Sequence, residues 1–355
     1  MMKGLKKWRL FSLLTVMTVF LSACGEDYIS ALKPAGAVGK EQLNILLLTV
    51  VVMTLVVIVV SVLYLTAFVK FRRSKVGENF MPKQVEGSHT LEIIWTVIPI
   101  ILLLIIAVPT LTATYKFADV AAMENVDENG DKTALTVNVT AKLYWWEFEY
   151  PNEGIITSQE LVVPTGEKVY FNLIAADVKH SFWIPAIGGK MDTNVENLNK
   201  FYLQFDKESQ DLKDGVFYGK CAELCGPSHA LMDFKVKTLS RSDFDTWVAA
   251  MKATEGNVAN ADSSDLGEAT FANSCLGCHA ISGVGVSGAM GPNLTTFGDR
   301  NRVAGFLEHT AEETANWIND PETYKPGNLM TGKYNVTPEE AKAIADYLMT
   351  LSVEK

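Results

Sequence analysis

Two long runs of apolar residues lie in the first third of the chain. Residues 43–69 contain no charged side chain, and residues 91–112 are interrupted only by Glu92, two prolines and three threonines. A helix that crosses a bilayer needs about 20 predominantly apolar residues, so both runs predict transmembrane helices. Four positive residues follow the first run within residues 70–75, and such clusters in short loops mark the cytoplasmic side. The pattern predicts a membrane hairpin, with the chain that follows on the extracytoplasmic side.

A shorter apolar run, residues 10–21, follows four positive residues near the N-terminus. This arrangement is typical of a secretory signal. The run ends in Leu21-Ser22-Ala23-Cys24-Gly25, which resembles a bacterial lipobox and implies cleavage before Cys24 and a lipid on its thiol. The alternatives are an uncleaved anchor, for which the run is short, and a cysteine that follows small residues by coincidence.

From Lys132 onwards the apolar pattern changes to a period of two. Residues 133–141 alternate leucine or valine with threonine or asparagine, which is typical of a strand with one buried face. Similar short segments, separated by turn signals such as Pro164-Thr165-Gly166, predict an all-β sandwich. The predicted strands are residues 133–141, 142–150, 160–163, 168–174, 200–205, 216–221 and 232–239.

Beyond the sandwich, helical periodicity returns. Residues 242–251 predict a short amphipathic helix, and the small polar residues that follow have the composition of a flexible linker. Later helices are predicted near residues 265–273, 311–319 and 338–351. The complete division is a signal at 1–24, a connector at 25–42, transmembrane helices at 43–69 and 91–112 around a cytoplasmic loop at 70–90, a β domain at 113–250, a linker at 251–264 and a helical domain at 265–355.

The densest chemistry lies in the run C-A-E-L-C-G-P-S-H-A-L-M. Cys221, Cys225, His229 and Met232 bring two thiols, an imidazole and a thioether into this short run, and His180 lies upstream. Thiolate and thioether ligands suit copper, whereas imidazole suits copper or zinc. The alternatives are a disulfide between the two cysteines and a zinc site of two cysteines and two histidines. Neither alternative uses Met232, whereas a copper site uses all five side chains.

The run resembles the binuclear copper (CuA) loop of cytochrome c oxidase subunit II. With the β domain around it, the resemblance implies a cupredoxin fold in which the copper loop joins the last two strands. It implies that the thiolates of Cys221 and Cys225 bridge two coppers. The other ligands that it implies are His180, His229, Met232 and the backbone carbonyl of Glu223.

Three further features carry the same resemblance. Tyr144-Trp145-Trp146 stands where the family often has Trp-Tyr-Trp, at the point where electrons enter the copper domain, although ordinary strand core is the alternative. Asp192 and Glu223 match neighbours of a magnesium ion at the contact with subunit I, although the Pro-Gly-Arg that commonly follows is absent. Glu92, before Ile93-Ile94-Trp95-Thr96, matches a glutamate where a proton pathway begins; a glutamate facing lipid headgroups is the alternative.

The helical domain opens with a C-x-x-C-H motif. Cys275, Cys278 and His279 are spaced for covalent attachment of haem c, with the histidine as an iron ligand. A redox C-x-x-C is expected in a thioredoxin-like βαβ context, which the pattern here lacks. The second axial ligand of such a haem is often methionine, and Met290, Met330 and Met349 are the candidates. Met330 follows Lys325-Pro326-Gly327-Asn328-Leu329, which resembles the methionine loop of class I cytochromes c, so Met330 is the predicted ligand.

Charge is distributed unevenly along the chain. Up to Tyr115 there are 11 Lys/Arg against 6 Asp/Glu, and beyond it 20 against 35. An acidic soluble part repels nucleic acid and favours basic protein partners. No basic patch interleaved with aromatic residues suggests nucleic-acid binding.

Both halves together resemble subunit II of a caa-type cytochrome c oxidase, a membrane-anchored multidomain protein with a cupredoxin sandwich and an all-α class I cytochrome c domain. The resemblance implies a bacterial plasma-membrane protein that works with oxidase subunit I and the other oxidase subunits. Electrons from cytochrome c or an upstream reductase complex would pass through haem c and CuA to haem a of subunit I, where oxygen is reduced to water.

Three other functions are alternatives. A membrane-anchored electron-shuttle protein would serve another terminal reductase without an oxidase partner. A nitrous oxide reductase-type enzyme would need a large propeller domain and more than the five histidines present. A quinol oxidase subunit II would lack the copper ligands, all of which this chain retains.

Overall fold

The computed structural model describes residues 12, 25–77, 80–130, 132–285, 288 and 290–354. The predicted lipidation of Cys24 therefore lies outside the described residues, as does the predicted signal apart from Ser12. The chain divides into two compact units, one of residues 41–118 and one of the rest.

The first unit is a pair of long apolar helices. Helix α1 spans Ala37–Lys70, a single helical turn α2 spans Arg73–Val76, and helix α3 spans His89–Ala118. Both long helices are long and apolar enough to cross a membrane, as predicted. Each extends beyond its apolar run because that run marks only the part within the hydrocarbon, whereas helical hydrogen bonds continue into flanking polar residues.

Two prolines, Pro99 and Pro109, lie inside α3. A proline removes a backbone donor, and threonine hydroxyls help membrane helices to satisfy the remaining carbonyls. Near Pro109, the hydroxyl of Thr110 donates to the Ile106 carbonyl at 2.8 Å, and that of Thr112 donates to the Val108 carbonyl at 2.9 Å. The helix nevertheless continues past Pro109 to Ala118.

The β domain is a sandwich of two five-stranded sheets with the orders β3-β2-β1-β5-β8 and β4-β10-β9-β6-β7. Strands β1 and β5 pair in parallel, as do β4 and β10, and the other neighbours pair antiparallel. The strands are β1 Thr136–Lys142, β2 Trp145–Tyr150, β3 Ile155–Ser158, β4 Glu160–Pro164, β5 Lys168–Ala175, β6 His180–Trp183, β7 Met191–Thr193, β8 Asn199–Gln204, β9 Phe217–Cys221 and β10 Asp233–Leu239.

This sandwich confirms the predicted all-β fold, although β3, β6 and β7 were not predicted. Each has only three or four residues, which is too short for alternation to be recognised in the sequence. Aromatic rings fill the space between the sheets. Phe182 and Phe234 stack with centroids 4.8 Å apart, and the rings of Trp146 and Phe148 are fully buried beside them.

The helical domain has a separate apolar core. After α4, Arg241–Lys252, its helices are α5 Leu266–Ser274, α6 Ala311–Asn319, α7 Pro321–Tyr324 and α8 Pro338–Leu348, and a hairpin joins β11 Arg302–Val303 to β12 Leu307–Glu308. Phe271, Ile318, Ile344 and Leu348 are central to the core. Helix α8 begins with a capping box between Thr337 and Glu340, which satisfies backbone donors at its start.

The linker and the connector both pack on the folded domains, which their compositions did not indicate. In the linker, Ala259 belongs to the core of the helical domain, and the Thr254 hydroxyl accepts a hydrogen bond from the Gly283 amide at 2.8 Å. In the connector, Ala35 donates to the Ala186 carbonyl at 2.7 Å. Small residues are typical of flexible segments, but they also allow a segment to pack closely against a folded domain.

Candidate metal centres

The candidate copper ligands lie at one end of the β4-β10-β9-β6-β7 sheet. His180 is the first residue of β6 and Cys221 is the last residue of β9, and antiparallel pairing places Phe182 opposite Cys221. Strands β9 and β10 are also neighbours, so the copper loop, residues 222–232, begins and ends at the same edge. Strand pairing therefore brings both ends of the loop to His180.

All predicted copper ligands converge on one small space. The sulfur of Cys221 lies 3.9 Å from the sulfur of Cys225 and 3.9 Å from Nδ1 of His180. The sulfur of Cys225 lies 3.7 Å from Nδ1 of His229 and 3.8 Å from Sδ of Met232. The Glu223 carbonyl oxygen lies 3.2 Å from the Cys221 sulfur.

These distances decide between the interpretations of the copper loop. A disulfide has a sulfur–sulfur distance of about 2.05 Å, whereas Cys221 and Cys225 are free thiols 3.9 Å apart. A tetrahedral zinc site would be complete with two cysteines and two histidines. The thioether of Met232 adds a fifth side-chain donor in contact with Cys225, and soft thioether and thiolate donors select copper. The donor set therefore fits copper best.

The two thiols do not ionise alike. The hydrogen bond from Cys225 is the main influence that lowers the pKa of Cys221, and it outweighs burial. The same contact raises the pKa of Cys225. Cys221 therefore loses its proton first, and a metal that binds both sulfurs must displace a proton from Cys225.

The sequence did not reveal Asp177, whose carboxylate contacts the candidate ligand His180. One carboxylate oxygen lies 2.8 Å from Nε2 of His180, and the backbone amide of Leu143 donates to the other at 2.7 Å. A carboxylate on one imidazole nitrogen orients the ring and leaves the other nitrogen for a metal. The only available signal was an aspartate three residues before a candidate ligand, which is too common to be informative.

A cavity in the helical domain brings together the predicted haem residues. It contains about 1110 Å³ of empty space, part of it open to solvent, and Cys275, Cys278 and His279 line it. Nδ1 of His279 lies 2.8 Å from the Pro292 carbonyl oxygen, which leaves Nε2 for iron. Gly291 lies against the ring: a Cβ there would be 2.5 Å from Cε1 of His279. Apolar side chains complete much of the lining: Leu294, Phe297, Val303, Trp317, Ile318 and Leu348.

The three candidate methionine ligands occupy different positions. Met330 and Met290 both line the cavity, whereas Met349 packs against the core of the helical domain. Met290 is half exposed, and its neighbour Gly291 abuts His279. Met330, by contrast, is partly buried against the core of the helical domain. The surroundings favour Met330.

The aromatic run is divided between two environments. Tyr144 and Trp145 line the haem cavity and are 4% and 8% exposed. Trp146 is fully buried in the sandwich, and its indole N–H donates to the Met232 carbonyl at 3.4 Å. The three residues are therefore not on one exposed surface, and their role in electron entry stays a prediction. Strand alternation turns Trp146 into the core, and the helical domain covers the other two.

The remaining predicted site residues are Asp192 and Glu223, for magnesium, and Glu92, for a proton pathway. The carboxylate of Asp192 lies 2.7 Å from Nζ of Lys179, and Asp192 and Glu223 both raise the pKa of Lys179. The two carboxylates therefore act on one cation.

Glu92 lies in the first turn of α3, and its half-exposed carboxylate is 3.8 Å from Nδ1 of His89.

Models of known families match three separate segments of the chain. The model of the transmembrane domain of cytochrome c oxidase subunit II matches residues 31–113, and that of its periplasmic domain matches residues 153–239. The cytochrome c model matches residues 264–352. The first two matches cover the hairpin and the copper ligands, and the third covers the haem motif.

Individual relatives agree with these matches. "Cytochrome c oxidase subunit 2" of Bacillus sp. (strain PS3) is 56% identical and covers 100% of both chains. The protein of the same description from Bacillus subtilis (strain 168) is 50% identical over 98% of this chain and 99% of its own. "Quinol oxidase subunit 2" of Bacillus subtilis (strain 168) is 33% identical over 69% of this chain and 73% of its own.

Proposed function

The chain belongs to the cytochrome c oxidase subunit II family and carries a fused cytochrome c domain, and we propose that it relays electrons from an external donor to subunit I. The donor is a cytochrome c or an upstream reductase complex, and the acceptor is haem a. The observation that carries the proposal is the haem cavity, which is lined by Tyr144 and Trp145 of the copper domain. We favour the oxidase role over the electron-shuttle alternative, because two relatives that match over the full length are described as oxidase subunits.

The copper ligands in this proposal are the predicted ones: His180, Cys221, Glu223 through its carbonyl, Cys225, His229 and Met232. Haem c would be held by Cys275 and Cys278, and its iron by His279 and Met330. When bound, the two metal groups supply one-electron carriers that change little in structure between oxidation states. Contacts among the copper ligands support their assignment, since each of the three sulfurs in that set touches at least one other proposed copper donor.

The residues of the chain position these groups and limit solvent. Asp177 orients His180, and the Pro292 carbonyl orients His279. Burial of His180 and Met232 excludes water from one side of the copper site. A preorganised and largely dry site changes little when charge moves, which is the condition for fast electron transfer.

We further propose that both soluble domains face the extracytoplasmic side of the plasma membrane. The cluster of positive residues after α1 supports this orientation. The acidic charge of the soluble part supports a basic donor protein. Lipidation of Cys24 rests on the lipobox resemblance, and a role for Glu92 where a proton pathway of the complex begins rests on the family resemblance.

Magnesium at the contact with subunit I is a separate proposal. Asp192 and Glu223 supply the oxygen donors that Mg²⁺ prefers, and both act on the ammonium of Lys179. Mg²⁺ would compete with this ammonium for the two carboxylates. A Lys179→Gln variant of the assembled oxidase should therefore bind Mn²⁺, used as an EPR-visible substitute, more tightly than the parent. Unchanged binding would contradict the assignment.

The relay is tested with the purified, metal-loaded chain. Copper and haem are counted first, and two coppers per haem are expected. Reduced cytochrome c is then mixed with the chain in a stopped-flow instrument, while haem absorbance and the near-infrared copper band are followed together. Haem reduction followed by bleaching of the copper band supports the relay. Copper reduction at an unchanged rate in a Cys275→Ala/Cys278→Ala variant would show that electrons bypass the haem domain.

A further inference from the structure

A tight turn of the helical domain lies against the copper domain. Residues 303–306 form the turn of the β11–β12 hairpin, closed by a 3.1 Å bond from the Phe306 amide to the Val303 carbonyl. Ala304 and Gly305 have φ angles of 51° and 92°. A left-handed conformation is costly for alanine, so surrounding contacts must hold the turn in place.

Two buried lysines hold the carbonyls of this turn. Nζ of Lys325 donates to the Ala304 carbonyl at 2.7 Å, and Nζ of Lys235 donates to the Gly305 carbonyl at 3.0 Å. Their side chains come from opposite domains, and the residues are 3% and 1% exposed. Fully buried lysines are rare because removing an amine from water is costly.

Lys325 also joins this turn to the aromatic run. Its Nζ donates a second hydrogen bond, 2.9 Å long, to the carbonyl of Tyr144. On its other side, Tyr144 reaches the copper loop: a Cβ at Gly226 would be 2.4 Å from the Tyr144 hydroxyl oxygen. One tyrosine therefore links the copper loop to the lysine that holds the helical domain.

The residues that follow Lys325 extend the contact to the copper loop itself. The hydroxyl of Ser228 donates to the Pro326 carbonyl at 2.7 Å. Gly327 lies so close that a Cβ there would be 3.2 Å from Cγ of Pro227. The segment that begins at Lys325 leads directly to Met330, so the loop that supplies the proposed haem ligand rests on the loop that supplies copper ligands.

We infer that Lys325 is a positioning residue for electron transfer, because it fixes the methionine loop and the haem cavity against Tyr144 and the copper loop. Lys325 lines the haem cavity but is not one of the proposed ligands of either metal site; it acts by holding the two domains in one relative position. This inference rests on the proposed relay, in which haem iron loses the electron that the copper pair gains. It also explains a buried amine whose two acceptors belong to different domains.

Loss of Lys325 is expected to loosen the contact without removing either cofactor. A misplacement of about 1 Å between reacting groups can lower a rate by roughly 100-fold. We therefore expect Lys325→Met to slow electron transfer from haem to copper by about tenfold or more. Lys342→Met is the matched control, since Lys342 is an exposed lysine of the same domain whose ion pair is with Asp346 in its own helix.

The experiment uses the full metal-loaded chain and two independent measurements. Flash reduction of the haem, followed in the near-infrared copper band, gives the transfer rate. Hydrogen exchange of residues 143–146 and 302–308 reports the contact without reference to activity. Lys325→Met should show slow transfer and faster exchange in both segments, with unchanged haem and copper spectra, whereas Lys342→Met should match the parent.

The outcomes separate this inference from the proposed function. Parental transfer and parental exchange in Lys325→Met would overturn the inference. Absence of haem-to-copper transfer in the parent would instead overturn the relay, and the exchange data would still test the contact. If Lys325→Met fails to incorporate haem, Lys325→Gln replaces it, because glutamine keeps a polar group but is too short to reach both carbonyls.

Discussion

The carboxylate of Asp177 lies 2.8 Å from Nε2 of His180, a fully buried histidine whose Nδ1 faces the sulfur of Cys221. This contact fixes which imidazole nitrogen is presented to the copper site. It also connects that site to the aromatic run, since the same carboxyl group accepts a hydrogen bond from the Leu143 amide. Asp177 therefore shapes the copper site although it is not a ligand.

Replacement of Asp177 by asparagine should weaken the copper site without abolishing it. Removing a carboxylate behind a metal-bound histidine typically costs about 10- to 100-fold in metal affinity. Copper titration of the metal-free chain, followed in the near-infrared, measures the effect. Asp262→Asn makes the same charge change in the linker and should leave the affinity unchanged. Parental affinity in Asp177→Asn would show that the carboxylate does not support the ligand.

Replacement of either thiol should abolish the mixed-valence copper signal. In Cys221→Ser or Cys225→Ser, one of the two proposed bridging sulfurs is lost and the near-infrared band should disappear. The haem c spectrum should remain, because the haem cavity is built from other residues. A near-infrared band that persists in either variant would contradict the assignment of both sulfurs as bridges.

Replacement of Met330 should change the haem and leave the copper unaltered. Met330→Ala removes the proposed axial sulfur, so we expect a lower reduction potential and an altered reduced spectrum. Potentiometric titration of the haem band measures both. Met349→Leu is the control, since Met349 packs against the core outside the lining of the haem cavity, and it should keep the parental potential. A parental spectrum in Met330→Ala would indicate a different axial ligand, with Met290 the next to test.

The contact between the domains should become more stable as pH rises above 7. Burial lowers the pKa of Lys325 from 10.5 to about 7 and that of Lys235 to about 8, with Asp233 opposing both shifts. The charge of Lys235 also lowers the pKa of Lys325. The pKa of Lys235 is lowered by Lys220 and Arg302 and raised by Glu160. When the contact opens, both amines regain their ordinary affinity for protons. The closed form therefore binds fewer protons between about pH 7 and pH 10.5, and its stability increases with pH in that window.

This pH dependence can be measured by limited proteolysis of the linker. Cleavage should be slower at about pH 9 than at about pH 7, and Lys325→Met should lose much of the difference. Burial raises the pKa of Glu160 from 4.5 to about 6, so Glu160 destabilises the fold as pH rises through that lower window. A cleavage rate that does not change between about pH 7 and pH 9 would contradict buried, neutral lysines at the contact.

The order of the elements and the identity of most candidate ligands followed from the sequence. The two apolar runs, the alternation in the β domain and the capped helix at Pro338 are local patterns with a direct physical cause. Cys221, Cys225, His229 and Met232 were recognisable because ligands on one short loop keep a fixed spacing. The C-x-x-C-H motif was recognisable for the same reason.

Only the tertiary structure decided what surrounds these ligands. Asp177 acquires its role because β6 starts beside it, and Lys325 acquires its role because the helical domain rests on Tyr144. The burial of Tyr144 and Trp145 follows from the same contact, so an apparent surface became an interface between domains. Spacing along the chain determines which groups can share a loop. Contacts between distant segments depend on how complete surfaces fit together, and no local pattern carries that information.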